Sequence, residues 1–389
     1  MALVHSPVII IGAGIGGLAA ALSLQRHGIK VSVYEKTIEL KEFGAGLLVT
    51  PNAMRALQYL GVDEAIAATS NVSNELLIKH FQDGTVIHRR PDGEYYNATY
   101  GAGHFQVHRA DLHQALGAAV RANDPDCIHL GHAFSDLTQD RGLVSARFLN
   151  GAVVEGDALI GCDGSRSTVR DTVHGSVPAS YSGQVAFRAL IFSDGPSEQF
   201  RAEGAAMYIG PGRLFLHYPL RKDRLMNVVA IARQPQWQEE GWTIPATIDE
   251  LLELYADFHP SVLAMIKAIE PEALFKWGLR DREPLQQWTI GRVTALGDAA
   301  HPTSPFLGQG AVMAIEDGTV LGRCFAKAAT VEEALQRYEA ARKERANSVQ
   351  LQSRERANAL QGSGREQPGP GRNADELGLF GYDPALTPI

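Results

Sequence analysis

Cysteine is scarce in this 389-residue chain: Cys127, Cys162 and Cys324 are odd in number, widely spaced and form no C-x-x-C pair. That argues against a disulfide framework and a cysteine-based zinc site, and it points to a reducing cytoplasm. Surplus positive charge is also missing. Thirty-six lysines and arginines stand against 44 aspartates and glutamates, a net charge of −8, which argues against a nucleic-acid backbone as the main partner. Nor is there a long apolar run. Val8–Ile11 and Leu18–Leu24 are separated by glycines and followed by Gln25, Arg26 and His27, which makes neither a signal peptide nor a membrane span. What remains is ordinary globular composition, 45% apolar and 21% charged, and its 39 glycines and 19 prolines imply many tight turns. The length suggests two domains, or one large domain with an elaboration.

The order along the chain is more informative. Pro7–Ile11 reads as a β-branched strand entering Gly12-Ala13-Gly14-Ile15-Gly16-Gly17. An alanine- and leucine-rich helix follows to Arg26, Gly28 closes it, and Val31–Tyr34 reads as a second strand. Asn71–Tyr100 has short alternating runs with Asp83-Gly84 and Asp92-Gly93 turns, the pattern of antiparallel strands. Arg109–Asn123 and Thr247–Ile269 read as helical, and Tyr181–Ile231 as strand-rich. Val331–Leu360 reads as one long charged helix with apolar positions at helical spacing, its charged face from Arg337 to Arg356 solvated or used in a dimer contact, followed by a Gly/Pro/polar linker over Gly362–Asn373. The α/β pieces are separated by β-rich ones, so the domains are expected to be discontinuous.

The strongest motif is Gly12, Gly14 and Gly17, continued by Ala21, Leu24, Gly28, Val31 and Glu35 at the spacing of a dinucleotide fold. The glycines let the backbone approach a pyrophosphate at a helix N-terminus, and Glu35 can accept hydrogen bonds from the adenosine ribose. A carboxylate at that position disfavours a ribose 2′-phosphate. The motif alone does not separate NAD from FAD.

Two further segments do. Gly161-Cys162-Asp163-Gly164-Ser165-Arg166-Ser167-Thr168-Val169-Arg170 and Gly297-Asp298-Ala299-Ala300-His301-Pro302 resemble the second and third fingerprints of the single-component FAD-dependent aromatic hydroxylases. Within that superfamily, Gly44-Ala45-Gly46 with Pro51-Asn52, the segment His108–His113, and Gln309-Gly310-Ala311 through Ala314-Ile315-Glu316-Asp317 look like the branch acting on salicylate, 3-hydroxybenzoate and 6-hydroxynicotinate.

The resemblance implies an α/β protein: a Rossmann-like FAD-binding domain (1–70, 101–174, 277–330), an inserted β-sheet substrate domain (71–100, 175–276) and a C-terminal helix and tail (331–389). It implies that NADH or NADPH reduces a non-covalent FAD. Oxygen from O2 then reaches a phenolic or hydroxypyridine acid through a flavin C4a-hydroperoxide, with loss of a ring substituent where the attacked carbon carries one. The implied cofactor residues are Gly12, Gly14, Ile15, Gly17, Glu35, Lys36, Arg109, Leu130, Asp163, Asp298, Gly310 and Ala311. Asp298 can bond the ribityl hydroxyls, and the N–H groups around Gly310 and Ala311 can stabilise a reduced flavin anion. Leu48, Leu214 and Pro305 fall at pocket positions. This sequence departs from the branch at two of them: Leu214 replaces a histidine of the 3-hydroxybenzoate enzymes, and Leu48 one of the 6-hydroxynicotinate enzymes.

A base is wanted to ionise the substrate, and His217 and Tyr218 are the candidates, with His217 favoured. They are adjacent on a strand, so only one should face the pocket. His129, His132 and Asp126 lack metal-ligand spacing, so no metal is expected. No membrane or nucleic-acid partner is expected, and the sequence leaves monomer and homodimer both open. A non-catalytic FAD-binding redox sensor and a different flavin oxidoreductase on the same fold remain alternatives.

Overall fold

The computed structural model describes residues 4–40, 45–91, 93–192, 204–239, 241, 243–360 and 372–389. The expectations for Gly44, Asp92 and most of the 362–373 linker therefore lie outside the described residues. The chain builds the expected α/β architecture around two sheets. The first is six-stranded, in the order Thr289–Ile290, Val293–Ala295, Ala158–Gly161, Val8–Ile11, Val31–Tyr34, Ile128–His129, and only its first pair is antiparallel. Val8–Ile11 and Ala158–Gly161 are buried at every position, as strands covered on both faces must be. Helix Ile15–Arg26 covers one face and packs against the helices Arg109–Asn123 and Gly310–Lys327. On the other face Phe134, Val144 and Phe148, from a three-stranded meander, meet Ile9, Ile11 and Leu159.

The second sheet has eight strands, and Arg213–Leu220 lies between Leu225–Arg233 and Ala205–Gly210 in its middle. Helices Ile248–Leu254 and Pro260–Lys267 cover its outer face, where Leu251, Tyr255, Val262 and Met265 pack on Phe187, Tyr208, Phe215 and Val228. Its inner face carries Ile78, Ala186, Met207, Ile209, Leu214 and Val229, against which Phe306 packs. Leu48, from strand Gly46–Val49, joins Tyr218 and Leu220 on the same side. The inner face thus looks onto residues that belong to the first sheet's half of the chain.

Several expectations change. The alternating stretch before residue 100 gives strands Glu75–His80 and Val86–Pro91, but Glu94–Tyr100 is a helix whose Tyr96 packs edge-on against Phe380 of the tail. The alternating run ends where Tyr96 and Tyr100 turn together onto Phe380, a contact that the spacing of a helix allows. The helical stretch at 247–269 is two helices, because Pro260 starts a new one. The domain boundary expected at 276/277 falls inside strand Phe275–Asp281, which pairs within the large sheet. The apolar positions of the long helix Val331–Leu360 are buried as their spacing suggested, but its charged side is not wholly solvated, since Arg342 is buried with them. Tyr338, Arg342, Ala346, Val349 and Ser353 are buried along one side of it, and Leu379 and Phe380 of the tail enter the main core.

Candidate active site

The nucleotide end is built by the first strand, turn and helix. Gly12 ends the strand at φ +103, a conformation glycine adopts without strain, and a side chain there would meet Cys162 O at 2.4 Å. Gly17 lies just as close beneath the Gly12 carbonyl. Gly14 differs, since a Cβ on it would meet no protein atom within 4 Å. It is the N-cap of helix Ile15–Arg26, and no side chain caps that end, so the N–H groups of Ile15 and its successors are left for a ligand. Glu35 spans the turn: Oε2 accepts from Ala13 N at 2.9 Å and Oε1 from Thr37 N at 3.0 Å. Lys36 is exposed beside it. Leu130 follows the neighbouring edge strand, whose His129 O accepts from Glu35 N, and His132 Nδ1 lies 2.7 Å from Leu130 O.

Sequence reasoning missed one residue here. His113 is buried and places Nε2 2.6 Å from Ala13 O, holding the glycine turn from behind. Its only sequence signal is its place two residues after Asp111 in the helix that begins at Arg109.

The centre of the groove is made by the second and third glycine segments. Asp163 lies beside Gly12, and its carboxylate accepts from Ser167 Oγ and from Val169 N, which fixes the start of helix Thr168–His174. Each oxygen takes one protein donor, as each oxygen of Glu35 does, which fixes the carboxylate beside the Gly12 turn. Asp298 is enclosed by surrounding groups yet open to solvent, the condition of a carboxylate at the bottom of a groove. Desolvation by the groups around it raises its carboxyl from the ordinary value, against the pull of His301 and Arg109. A Cβ on Gly310 would lie 3.9 Å from Asp298 Oδ1, with no other neighbour within 4 Å. Gly310 and Ala311 open helix Gly310–Lys327, whose N-cap Gln309 makes no side-chain cap. This second bare helix N-terminus faces the same groove.

Arg109 is exposed, and its backbone N donates to Ala45 O at 3.1 Å. Its charge acts on both Asp298 and Arg188, which places it between the groove and the large sheet. At that end Arg188 Nη1 donates to Gly46 O, Asn227 Oδ1 accepts from Gly46 N, and Tyr218 lies against the Gly46 α-carbon. A Cβ on Gly46 would sit 2.6 Å from the Tyr218 ring. Gly46→Ala is therefore expected to destabilise by about 1–3 kcal/mol, as overpacked cores do. Thermal unfolding at matched FAD occupancy checks this, and an unchanged midpoint would refute the close approach.

The pocket expectations converge in part. Leu48 packs next to Gly308, the residue closing the Pro305–Leu307 turn, and Leu214 shares a cluster with Phe306 from that turn. Phe306 and Arg188 were not foreseen. The preference for His217 is overturned. Strand alternation turns His217 to the outer face, fully buried opposite Ala206 and Val228 and beneath the two covering helices. Tyr218 is the one on the inner face. Burial pushes its hydroxyl up to about 12, with Arg188 pulling the other way, so at neutral pH it is a hydrogen-bond donor and not a base.

Room at Gly14 and Gly310, two bare helix N-termini and a groove-floor carboxylate fit a long dinucleotide with a polyhydroxyl middle. Close to Gly310, Leu48 packs by Gly308, and Phe306 joins the apolar inner face of the large sheet. That arrangement defines a flavin-dependent oxidoreductase. A family model described as an FAD binding domain matches residues 5–353. A 3-hydroxybenzoate 6-hydroxylase of Polaromonas naphthalenivorans is 34% identical over 90% of this chain and 86% of that one. A 6-hydroxynicotinate 3-monooxygenase of Pseudomonas fluorescens is 33% identical over 98% and 96%. The solved Klebsiella pneumoniae HpxO with FAD and uric acid matches with a TM-score of 0.83 at 28% identity, over 92% of this chain and 90% of that one. The chain belongs to this FAD-binding family, and it is an FAD-dependent aromatic-ring monooxygenase that uses NAD(P)H.

Proposed function

We propose that this enzyme hydroxylates a small phenolic or hydroxypyridine acid, with O2 as co-substrate, as a cytoplasmic monomer or homodimer. The observation that carries the reading is the inner sheet face. Leu48, Leu214 and Phe306 form an apolar wall, and Tyr218, Arg188 and Asn227 are polar groups set beside it. Bound FAD supplies the redox chemistry that joins NAD(P)H oxidation to oxygen insertion. The chain's own residues bind, orient and desolvate. Glu35 and the Gly12–Gly17 turn hold the adenosine end, Asp298 and the Gly310 helix the middle, and the leucines exclude water from the ring.

Tyr218 is assigned as a donor to the ring oxygen, stabilising its anion through a charge-assisted hydrogen bond. Leucines occupy positions 48 and 214, and His217 faces away. The ring proton therefore leaves by the substrate's own acidity, helped by the nearby positive charges of Arg109 and Arg188. This favours an acidic ring hydroxyl. Because Leu48 and Leu214 replace two histidines, we infer a substrate different from 3-hydroxybenzoate and 6-hydroxynicotinate. The divided-domain reading is supported by the separate cores of the two sheets, with the 276/277 boundary moved outside strand Phe275–Asp281.

The direct test is the purified protein with NADH or NADPH and a panel of hydroxyaromatic acids, recording oxygen uptake and product mass. Failure of every aromatic to stimulate NAD(P)H oxidation would overturn the reading. A second test separates the two neighbours on the strand. Tyr218→Phe is expected to lower product formed per NAD(P)H by about 10-fold or more at pH 7, the loss of one hydrogen bond to a charged group. His217→Gln should keep wild-type coupling per bound FAD. The Tyr218 hydroxyl stays protonated below its pKa of about 12, so the wild-type profile between pH 6 and 9 should follow the ionisation of the substrate. Equal uncoupling by both variants would refute the face assignment.

A further inference from the structure

Among the described residues Arg188 has no counter-ion, and it lies on the same sheet face as the Leu214–Phe306 cluster. It lies on the long strand Ser180–Phe192, between Ala186 and Leu190, which share its face of the sheet. Its cross-strand partner Val229 belongs to the inner-face cluster with Leu214 and Met207. The side chain is half-buried. Among the described residues its hydrogen bond is the one from Nη1 to Gly46 O at 2.8 Å, and it takes part in no ion pair. Its charged neighbour is Arg109, whose like charge adds to the cost of burial and pulls the guanidinium below its ordinary value. The nearest acidic proton, that of Tyr218, stays on its oxygen at neutral pH. A cation placed so, in a chain of net charge −8, is an uncompensated cost to the folded protein unless an anion comes to it.

Its geometry limits which anion that is. Fixing Nη1 on the Gly46 carbonyl orients the planar fork, so the remaining N–H groups form an edge that matches the two oxygens of a carboxylate. The leucines and Phe306 on the same face accept the flat ring to which that carboxylate is attached. We propose that Arg188 is the specificity-determining residue that anchors the carboxylate of an aromatic acid, with the ring on the Leu48–Leu214–Phe306 wall. This rests on the hydroxylase reading and deepens it by fixing the substrate's second functional group. Tyr218, across Gly46 from Arg188, is left for the ring hydroxyl. One ligand then engages both Arg188 and Tyr218.

The competing anion is a negative charge on the reduced flavin, and the test separates the two. Ligand binding to the FAD-loaded, oxidised enzyme is followed by perturbation of the flavin absorption spectrum. No substituted protein is needed for the first arm. Wild type should bind a hydroxybenzoate at least 30-fold more tightly than the matching hydroxybenzamide, and equal binding would overturn the proposal. In the second arm, Arg188→Gln should weaken the acid at least 100-fold while changing the amide or an uncharged phenol by less than threefold. Arg188→Lys, which keeps the charge and loses the fork, should fall between. FAD content and thermal midpoint are measured for each variant, so a folding defect is seen directly.

If Arg188→Gln weakens acid and amide alike, or shifts the flavin reduction potential with no effect on acid binding, the residue serves the cofactor or the fold and the proposal fails. The two readings fail separately. A wild-type enzyme that hydroxylates only uncharged phenols removes the carboxylate anchor and leaves the hydroxylase intact. An enzyme that no aromatic perturbs or stimulates removes both.

Discussion

Arg342→Ala is expected to cost about 3–5 kcal/mol of stability at pH 7, the loss typical of breaking a buried charge network from one side. Arg342 projects from the long C-terminal helix and is completely buried. Its Nε donates to Asp317 Oδ1 and its Nη2 pairs with Glu316 Oε2, each at 2.7 Å. Those carboxylates reach further. Glu316 also takes Arg345 and Asn52 Nδ2, and Asp317 Oδ2 accepts from Gly297 N at 3.1 Å and lies 2.6 Å from His301 Nε2. Without Arg342 two adjacent carboxylates keep their burial and lose a shared cation.

The pH dependence follows from the sign of the shifts. Burial alone would raise both carboxyls, but Arg345 and Arg342 around Glu316, and His301 and Arg342 around Asp317, outweigh it and hold both below their ordinary values. Folded-state values below the unfolded ones, about 4, mean stability that is present above that pH and lost as pH falls through the folded values. In the variant the carboxylates lose that protection and burial favours their protonated forms. The gap between wild type and variant should therefore narrow as pH drops from 7 toward 4. Denaturant unfolding at several pH values measures it. A loss below about 1 kcal/mol, or a gap independent of pH, would refute the network's role. Because Asp317 holds Gly297, next to Asp298, the variant should also release FAD more readily.

The nucleotide end was legible because its physics is local. A strand, three glycines, a helix and a carboxylate within 30 residues dictate their own geometry, and Gly12, Gly14 and Glu35 stand where the spacing put them. Alternation on the Arg213–Leu220 strand was legible too, but not its direction. That depends on which face the helices Ile248–Leu254 and Pro260–Lys267 cover, a fact no residue near 217 records. Arg188 was invisible because one arginine in a strand has no periodic signature. The C-terminal helix misled because hydropathy counts Arg342 and Arg345 as polar surface without recording partners. A sign was present nonetheless. Glu316 and Asp317 sit mid-helix in an otherwise apolar, glycine-containing run, and acids buried there require cations from elsewhere in the chain.

Gly12→Ala and Gly14→Ala, two residues apart in one turn, are expected to fail in different ways. At position 12 alanine must hold φ near +103, a strained region for any L-residue, at about 1–3 kcal/mol. Its Cβ would also stand 2.4 Å from Cys162 O and 2.8 Å from the carbonyl carbon. That carbonyl cannot step aside, because Cys162 N donates to Ile11 O at 2.8 Å and the preceding residues pair along the central strand. Relief requires the two central strands to part, so the variant should lose FAD and melt earlier even as apoprotein. At position 14 the backbone is ordinary, φ −72, and the new methyl meets no protein atom within 4 Å. The apoprotein of Gly14→Ala should therefore melt like wild-type apoprotein. Its FAD affinity should still fall by about 100-fold or more, because the methyl takes the place where a pyrophosphate must approach the helix N–H groups. Absorbance near 450 nm after purification, FAD titration and apoprotein melting together separate the two effects. Wild-type FAD affinity in Gly14→Ala would show that the pyrophosphate does not lie on this turn.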